Sequence, residues 1–159
     1  MPERPSVGDD ARFMREALAE ARAALAHDDV PVGAVVVREG AVISRGRNRR
    51  EADRDPTAHA ELIAIREAAR SLGRWRLDDC ALYVTVEPCA MCAGASVLAR
   101  LGLVVFAAPE PRTGAVLSVA QLLDEPRLNH HPRWRMGTAR EDAERLLREF
   151  FASHRDAAP

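Results

Sequence analysis

The chain has 159 residues, 47% hydrophobic and 4% aromatic, with a formal net charge of −1; this length predicts one domain over 1–159, with its core at about 10–152. The near-neutral charge excludes the overall basic surface typical of nucleic-acid binders, and the three cysteines favour metal binding or free thiols over a disulfide framework. No run approaches the ~20 apolar residues of a membrane span, and residues 1–10 hold no apolar signal segment, so we expect a cytoplasmic protein without a membrane partner.

Apolar spacing in the first half of the chain predicts helices and a hairpin. In chain order we expect a helix from Asp9 or Asp10 to just before Asp28, strands at 32–37 and 41–46 joined by a turn at Glu39-Gly40, and a helix capped by Thr57 that ends at about Ser71.

The second half continues the alternation of strands and helices. We expect a strand at 81–86, a helix opened by Pro88 and ending at about Arg100, a strand at 103–107, a loop around Pro109 and Pro111, a short helix at 116–123 and a closing helix at 138–151. Strands that alternate with helices indicate an α/β layered domain with a parallel or mixed sheet.

Two short motifs place metal ligands in this framework. His59-Ala60-Glu61 is followed thirty residues later by Pro88-Cys89-Ala90-Met91-Cys92. Imidazole nitrogen and thiolate are the donors that Zn²⁺ prefers, and three protein ligands with an open position are the catalytic arrangement. Such a metal lowers the pKa of a bound water to about 7. We therefore predict one zinc on His59, Cys89 and Cys92, with Glu61 as the nearby proton acceptor.

The spacing within each motif constrains how the ligands meet. Cys89 and Cys92 are three residues apart at a predicted helix start, where both sulfurs fall on one side of the first turn. His59 and Glu61 are two apart, about 200° around a helix, so both reach one metal only if the end of the helix points at it. Cys80 lies among apolar residues at a strand start, and we expect it in the core.

The pair of motifs has the form H-x-E…P-C-x-x-C, the signature of the zinc nucleobase deaminases. Over roughly residues 10–152 the chain resembles the bacterial tRNA adenosine deaminase family. The resemblance is carried by 30–35, Asn48, 55–61, 82–95, 113–115, 128–130 and Phe150-Phe151. It implies a three-layer α/β/α sandwich with a mixed five-stranded sheet and hydrolytic deamination of adenosine to inosine at the wobble position of a tRNA anticodon.

The same resemblance implies a zinc cofactor, a tRNA anticodon stem-loop as partner, a homodimer, and a set of substrate-binding residues. Glu61 shuttles protons and the N–H of Ala60 bonds the purine. The remaining substrate-binding positions are Asn48, Glu110, Arg112, Asn129, His130 and Phe151. Some of these have ordinary structural explanations as well, because Asn commonly satisfies turn backbone and Phe150-Phe151 also suits a helix core.

Two departures from the family pattern concern the substrate rather than the chemistry. The family's Ala-Arg-Asp-x-Lys-x-Gly reads Ala108-Pro109-Glu110-Pro111-Arg112-Thr113-Gly114 here, and the Arg that usually follows the second Phe is Ala152. The alternatives are therefore a deaminase of free bases or nucleosides, such as guanine or cytosine, or a catalytically silent zinc protein that serves as a partner subunit. The retained Glu61 argues against a silent protein.

Local charge gives one further expectation about RNA. All 23 cationic side chains are Arg, and they cluster at 45–50 and 127–135. We expect a few Arg contacts to phosphate, although such clusters are also common on solvated surfaces.

Overall fold

A computed structural model describes residues 5–155; residues 1–4, part of the segment inspected above for a signal, lie outside the described residues. The helices are α1 (Asp10–Ala24), α2 (Ala60–Leu72), α3 (Ala90–Leu98) and α4 (Arg140–Arg155). The strands are β1 (Gly33–Arg38), β2 (Ala41–Arg47), β3 (Cys80–Val86), β4 (Leu103–Ala108) and β5 (Arg133–Met136). None of the helices in 5–155 has the length and apolar character needed to cross a bilayer.

The strands form one mixed sheet in the order β2-β1-β3-β4-β5. The β1–β2 hairpin and the β1–β3 pair are antiparallel, whereas β3, β4 and β5 run parallel. Helices α2 and α3 pack on one face with Val36, Leu82 and Val104. Helices α1 and α4 cover the other face, against strand residues of the opposite parity such as Val35. The expected α/β/α sandwich with a mixed five-stranded sheet is confirmed.

The hydrophobic pattern explains why β3 lies at the centre. All seven residues of β3 are buried, as expected for a strand with a helix layer on each side. Its parallel neighbour β4 is likewise buried throughout. Because β3 and β4 are parallel, the loops after their carboxyl ends emerge at one edge of the sheet, where ligands of α/β domains commonly bind.

Three local predictions were wrong, and each has a physical reason. Residues 116–123 do not form the expected helix, because the backbone N–H groups of 116–118 bind the carboxylate of Glu87 instead; only a single 3-10 turn, Leu122–Asp124, overlaps the end of the range. Thr57 does not cap α2, since its N–H and hydroxyl bond Asp55, and His59 is the N-cap residue. Helix α3 begins at Ala90 rather than at Pro88.

The hydrophobic pattern alone missed β5, because the strand alternates an aromatic residue with arginine. Trp134 stacks on Phe106 at 5.9 Å between ring centroids on one face of the sheet. On the other face Arg135 binds both carboxylate oxygens of the buried Asp10, at 2.9 and 2.7 Å. A charged side chain therefore occupies an inward position that a hydrophobic pattern assigns to an apolar residue.

Candidate metal centre and substrate pocket

Two helices begin at the same place beside the carboxyl end of β3. His59 is the N-cap residue of α2 and Cys89 the N-cap residue of α3, both with extended backbone. Cys92 and Glu61 lie in the first turns of their helices. Each helix end therefore points at the cluster, which is how His59 and Glu61 face one site although they lie on different sides of a helix. The amino ends of both dipoles favour negative charge there.

Gly46 permits the close approach of β2 that positions the start of α2. A Cβ at Gly46 would overlap the carbonyl oxygen of Ala60 and the backbone of Ala64. The strand and the helix therefore touch through backbone atoms, and this contact places His59 at the sheet edge next to Cys89.

The three candidate ligands have the spacing that a tetrahedral metal requires. Nδ1 of His59 lies 3.6 Å from Sγ of Cys89 and 3.5 Å from Sγ of Cys92. Two donors on a tetrahedral zinc, with Zn–S of about 2.3 Å and Zn–N of about 2.0–2.1 Å, lie about 3.6 Å apart. All three ligand atoms fall within 4.8 Å of one another. The cluster is compatible with zinc, and Cys80 lies at the other end of β3.

The electrostatics of the cluster favour a thiolate before any metal binds. Hydrogen bonding from Cys92 lowers the pKa of Cys89 to about 3 against the opposing effect of burial, and His59 contributes further. The bond to Cys89 and burial raise the pKa of Cys92. Cys89 is therefore the sulfur that ionises first, and a metal would bind it as the thiolate.

Glu61 lies beside the cluster but is not one of its three ligands. Its side chain is only 4% exposed, and burial raises its pKa. A carboxylate with a raised pKa, facing a pocket beside a metal site, is suited to accepting and returning protons near neutral pH.

Two of the three cluster residues, His59 and Cys89, line a pocket of about 240 Å³ together with Glu61. Four predicted substrate residues line it, namely Asn48, Ala60, Glu110 and Phe151. The N–H of Ala60 belongs to the first turn of α2, which has no intrahelical acceptor. Pattern reasoning missed other lining residues, including Val30, Arg50, Thr113 and Leu147. In the sequence, the spacing of Leu147 is that of an ordinary core residue of a helix. In the structure, the packing of α4 places its side chain at the pocket.

The structure does not bring every predicted substrate residue to this pocket. Arg112 lines a groove of about 860 Å³, which shares Glu110, Leu147 and Phe151 with the pocket. Asn129 and His130 line neither space. The ring of His130 bonds the carbonyl of Leu101, just before the start of β4 and therefore at the opposite edge of the sheet.

The Arg clusters are largely neutralised by acidic partners. Arg45 pairs with Glu16, Arg49 with Asp53 and Arg127 with Glu125. Such exposed pairs contribute little to stability, but they reduce the positive charge that RNA would encounter at these clusters.

Glu87 organises one wall of the pocket. Its buried carboxylate accepts backbone N–H bonds from Glu110, Val116, Leu117 and Ser118 at 2.8–3.2 Å, and a bond from the Ser118 hydroxyl. A Cβ at Gly114 would overlap this carboxylate. Burial opposes ionisation, but the bonds from Ser118 and its neighbours lower the pKa of Glu87. The loop that carries Glu110 and Thr113 is therefore wrapped around a buried negative charge.

This fold and donor set are those of a zinc-binding deaminase family. The model of the cytidine and deoxycytidylate deaminase zinc-binding region matches residues 7–108. A solved structure from a study of A-to-I editing by tRNA:A34 deaminases at the wobble position superposes with a TM-score of 0.83 and 43% identity, covering 86% of this chain and 99% of that one.

Full-length relatives narrow the family. The tRNA-specific adenosine deaminase of Aquifex aeolicus is 48% identical over 91% of this chain and 95% of the relative. That of Bacillus subtilis is 44% identical over 89% of this chain and 88% of the relative. The guanine deaminase of Nitrosomonas europaea superposes with a TM-score of 0.76 at 28% identity, covering 88% of this chain and 83% of that one. The chain belongs to the tRNA-specific adenosine deaminases within the cytidine and deoxycytidylate deaminase family.

The geometry predicts which cysteines hold metal. Cys89→Ala and Cys92→Ala should each lose most of the bound zinc, because only two of the three protein ligands then remain. Cys80→Ala should retain the zinc, because Cys80 is not part of the cluster. Elemental analysis of the purified variants measures this directly. Loss of zinc in the Cys80 variant, with the fold intact, would contradict the assignment.

Proposed function

We propose that the chain deaminates adenosine at the wobble position of a tRNA anticodon to inosine, with one zinc per chain. The observation that carries this proposal is the His59, Cys89 and Cys92 cluster beside a buried Glu61, in a chain 48% identical to a tRNA-specific adenosine deaminase over nearly its whole length. The cytoplasmic location expected from the sequence stays a prediction.

The residues around the pocket have different roles in the reaction. His59, Cys89 and Cys92 would hold a zinc ion, which would supply Lewis-acid activation of the attacking water. Glu61 takes a proton from that water and gives it to the ring nitrogen beside the amino-bearing carbon. The water oxygen becomes bonded to this carbon. Glu61 then takes the second proton from this oxygen and passes it to the amino nitrogen, and the carbon–nitrogen bond breaks to release ammonia. The N–H of Ala60 holds the purine during these steps.

The pocket accepts a base only after it leaves its stack. The cluster lies at the bottom, and the exposed ring of Phe151 lies at the rim on α4. A nucleotide within a stacked loop cannot bring its amino group to the cluster, so the target base must be splayed out, as is usual in sequence-specific RNA recognition.

Glu61→Gln should keep the zinc and the fold yet lower turnover by roughly 10²–10⁴-fold, since general acid–base groups contribute about this much. The amide matches the carboxylate in shape but neither accepts nor returns the proton. Single-turnover inosine formation on an anticodon stem-loop gives the rate, and metal analysis gives the control. Near-normal turnover in this variant would assign Glu61 a purely structural role.

A guanine deaminase is the second candidate, because the Nitrosomonas europaea enzyme shares the fold at a TM-score of 0.76. The two functions are separated by incubating the zinc-loaded wild-type protein with an anticodon stem-loop and, separately, with guanine. We expect inosine from the stem-loop. Ammonia released from guanine, with no inosine from RNA, would assign the chain to the second function. A third expectation, a silent partner subunit, predicts neither product.

RNA binding should depend on the groove beside the pocket rather than on the Arg clusters. Arg112 and Arg148 both line this groove, where Arg148 lies 3.9 Å from the carboxylate of Glu144, a longer contact than those of Arg45, Arg49 and Arg127. Each phosphate contact on a single strand contributes about −0.7 to the slope of log K against log salt. Replacing both arginines with Ala should therefore flatten the slope by about 1.4.

Arg133→Ala is the matched control for this measurement. Arg133 is exposed and pairs in register with Leu103 at the opposite edge of the sheet, so its removal should leave the salt slope unchanged. An equal effect from Arg133, or an unchanged slope in the groove variant, would move the RNA to another surface.

We also propose that two copies of the chain pair through α3. No residue of this helix is charged, yet several of its residues are partly or fully exposed, namely Ala90, Met91, Gly94, Ala95 and Leu98. A helix without a polar face is normally covered, and a second copy would bury the same stripe in an isologous contact. The homodimer implied by the family resemblance supports a second copy as the occupant.

Leu98→Arg should convert the dimer to monomer, because Leu98 is 72% exposed and a charge would have to be buried at the contact. Sedimentation velocity measures the state. Val7→Arg, at a residue that is 69% exposed before α1 on the opposite helix layer, is the control and should remain dimeric. A monomeric wild type would contradict the proposal.

A further inference from the structure

Another buried carboxylate, Asp29, lies behind the pocket wall that contains Asn48 and Arg50. It is 1% exposed and follows the left-handed residue Asp28 after α1. Its oxygens accept the N–H of Glu51 at 2.7 Å, the N–H of Ala52 at 3.1 Å and Nδ1 of His27 at 2.8 Å. Burial raises the pKa of Asp29, but these hydrogen bonds outweigh it and the net pKa is lowered. The carboxylate is therefore held as an anion by backbone donors.

The donors belong to the turn that follows β2 and forms this wall of the pocket. Asn48 begins the turn, and its N–H bonds the carbonyl of Val32 at 2.9 Å. Its Nδ2 donates to the carbonyl of Val30 at 3.1 Å, and its Oδ1 accepts the N–H of Arg50 at 3.1 Å. Successive N–H groups from Arg50 onward are thus bound, and the turn is fixed against the segment that starts at Asp29.

These bonds determine what Asn48 presents to a ligand. Because Oδ1 must accept and Nδ2 must donate, the amide cannot flip without losing both contacts. An amide has two N–H donors and two acceptor lone pairs, so one of each stays available in the pocket. A flipped or displaced amide would present these groups in the wrong places.

We propose that Asp29 is a positioning residue for substrate recognition, holding the turn of residues 48–52 so that Asn48 and Arg50 line the base pocket. This inference rests on the proposed deaminase function. Asp29 itself lines neither the pocket nor the groove, so it acts through Asn48 rather than on the substrate. His59, at the far end of the same loop, is held separately by its place at the start of α2.

The Asp29→Asn variant tests the proposal. The N–H groups of Glu51 and Ala52 bind different oxygens of Asp29, so in the amide of the same shape one of them faces an NH2 donor and loses its acceptor. We expect KM for the stem-loop to rise at least tenfold, while kcat at saturating RNA falls less than threefold and the zinc content is unchanged. Asp53→Asn is the matched control, since it removes the same charge from an exposed position in the same loop, where, among residues 5–155, the carboxylate pairs with the Arg49 side chain alone.

A double-mutant cycle with Asn48→Ala distinguishes positioning from general stabilisation. If Asp29 acts through Asn48, the two changes in KM are strongly non-additive, and the double variant resembles Asn48→Ala alone. A lower kcat with unchanged KM, reflecting only a smaller folded fraction, would overturn the proposal, as would additive changes in KM.

Amide hydrogen exchange of the wild-type protein tests the proposal even if the Asp29 variant does not fold. Glu51 and Ala52 are exposed residues in a surface turn, yet the proposal predicts that their amide hydrogens exchange slowly. Exchange at the rate of an unprotected turn would overturn it. If the wild type acts on guanine rather than on RNA, the proposed substrate fails but the same KM comparison is made with guanine, because any base in the pocket meets Asn48.

Discussion

The convergence of two helix starts at the carboxyl end of β3 is the constraint on which the site depends. The N-cap positions of α2 and α3 are occupied by His59 and Cys89, and the donor atoms of the cluster lie within 4.8 Å of one another. The amino ends of both helices favour the thiolate form that a metal requires. The same arrangement buries Glu61 beside the cluster without making it a ligand. Metal binding and proton transfer thus come from one backbone geometry.

The walls of the pocket are held by different means from its floor. Asp29 binds backbone N–H groups of the turn after β2, and Glu87 binds those of the loop after β4. A buried carboxylate that accepts several backbone bonds is costly to remove, because a buried N–H left without an acceptor costs about 1–3 kcal/mol. The substrate-facing loops can therefore vary in their exposed positions, such as Pro111 and Arg112, while their backbone path stays fixed.

The elements that could be predicted from the sequence are those with a recognisable pattern within a few neighbouring residues. Helical and strand spacing predicted α1, α2, the hairpin, β3, β4 and α4, and the two motifs predicted the ligand cluster that the fold assembles. The failures arise where distant polar contacts override local pattern. Arg135 occupies an inward strand position because Asp10 neutralises its charge. Residues 116–118 bind the carboxylate of Glu87 through their N–H groups instead of starting a helix. Neither partner is recognisable from spacing, since each lies more than twenty residues away.

The predicted substrate residues lie at two different edges of the sheet, and only one of these edges carries the pocket. Asn48 and Glu110 follow strands, and Ala60 opens a helix, at the same edge of the sheet, whereas Phe151 reaches the pocket from within α4. Asn129 and His130 lie near Leu101 at the other edge, which the family resemblance alone did not indicate. Arg50 and Leu147 could be recognised as pocket residues only from the tertiary structure, because packing places the turn after β2 and helix α4 over the cluster.

The central claim is an open metal centre with three protein ligands, and X-ray absorption spectroscopy at the zinc edge of the wild-type protein tests it most directly. We expect two sulfur donors at about 2.3 Å and two nitrogen or oxygen donors at about 2.0–2.1 Å, one of the latter being His59 and the other a ligand that exchanges with solvent. Three or four sulfur donors would contradict it, because Cys80 would then have to leave the far end of β3 and close the site.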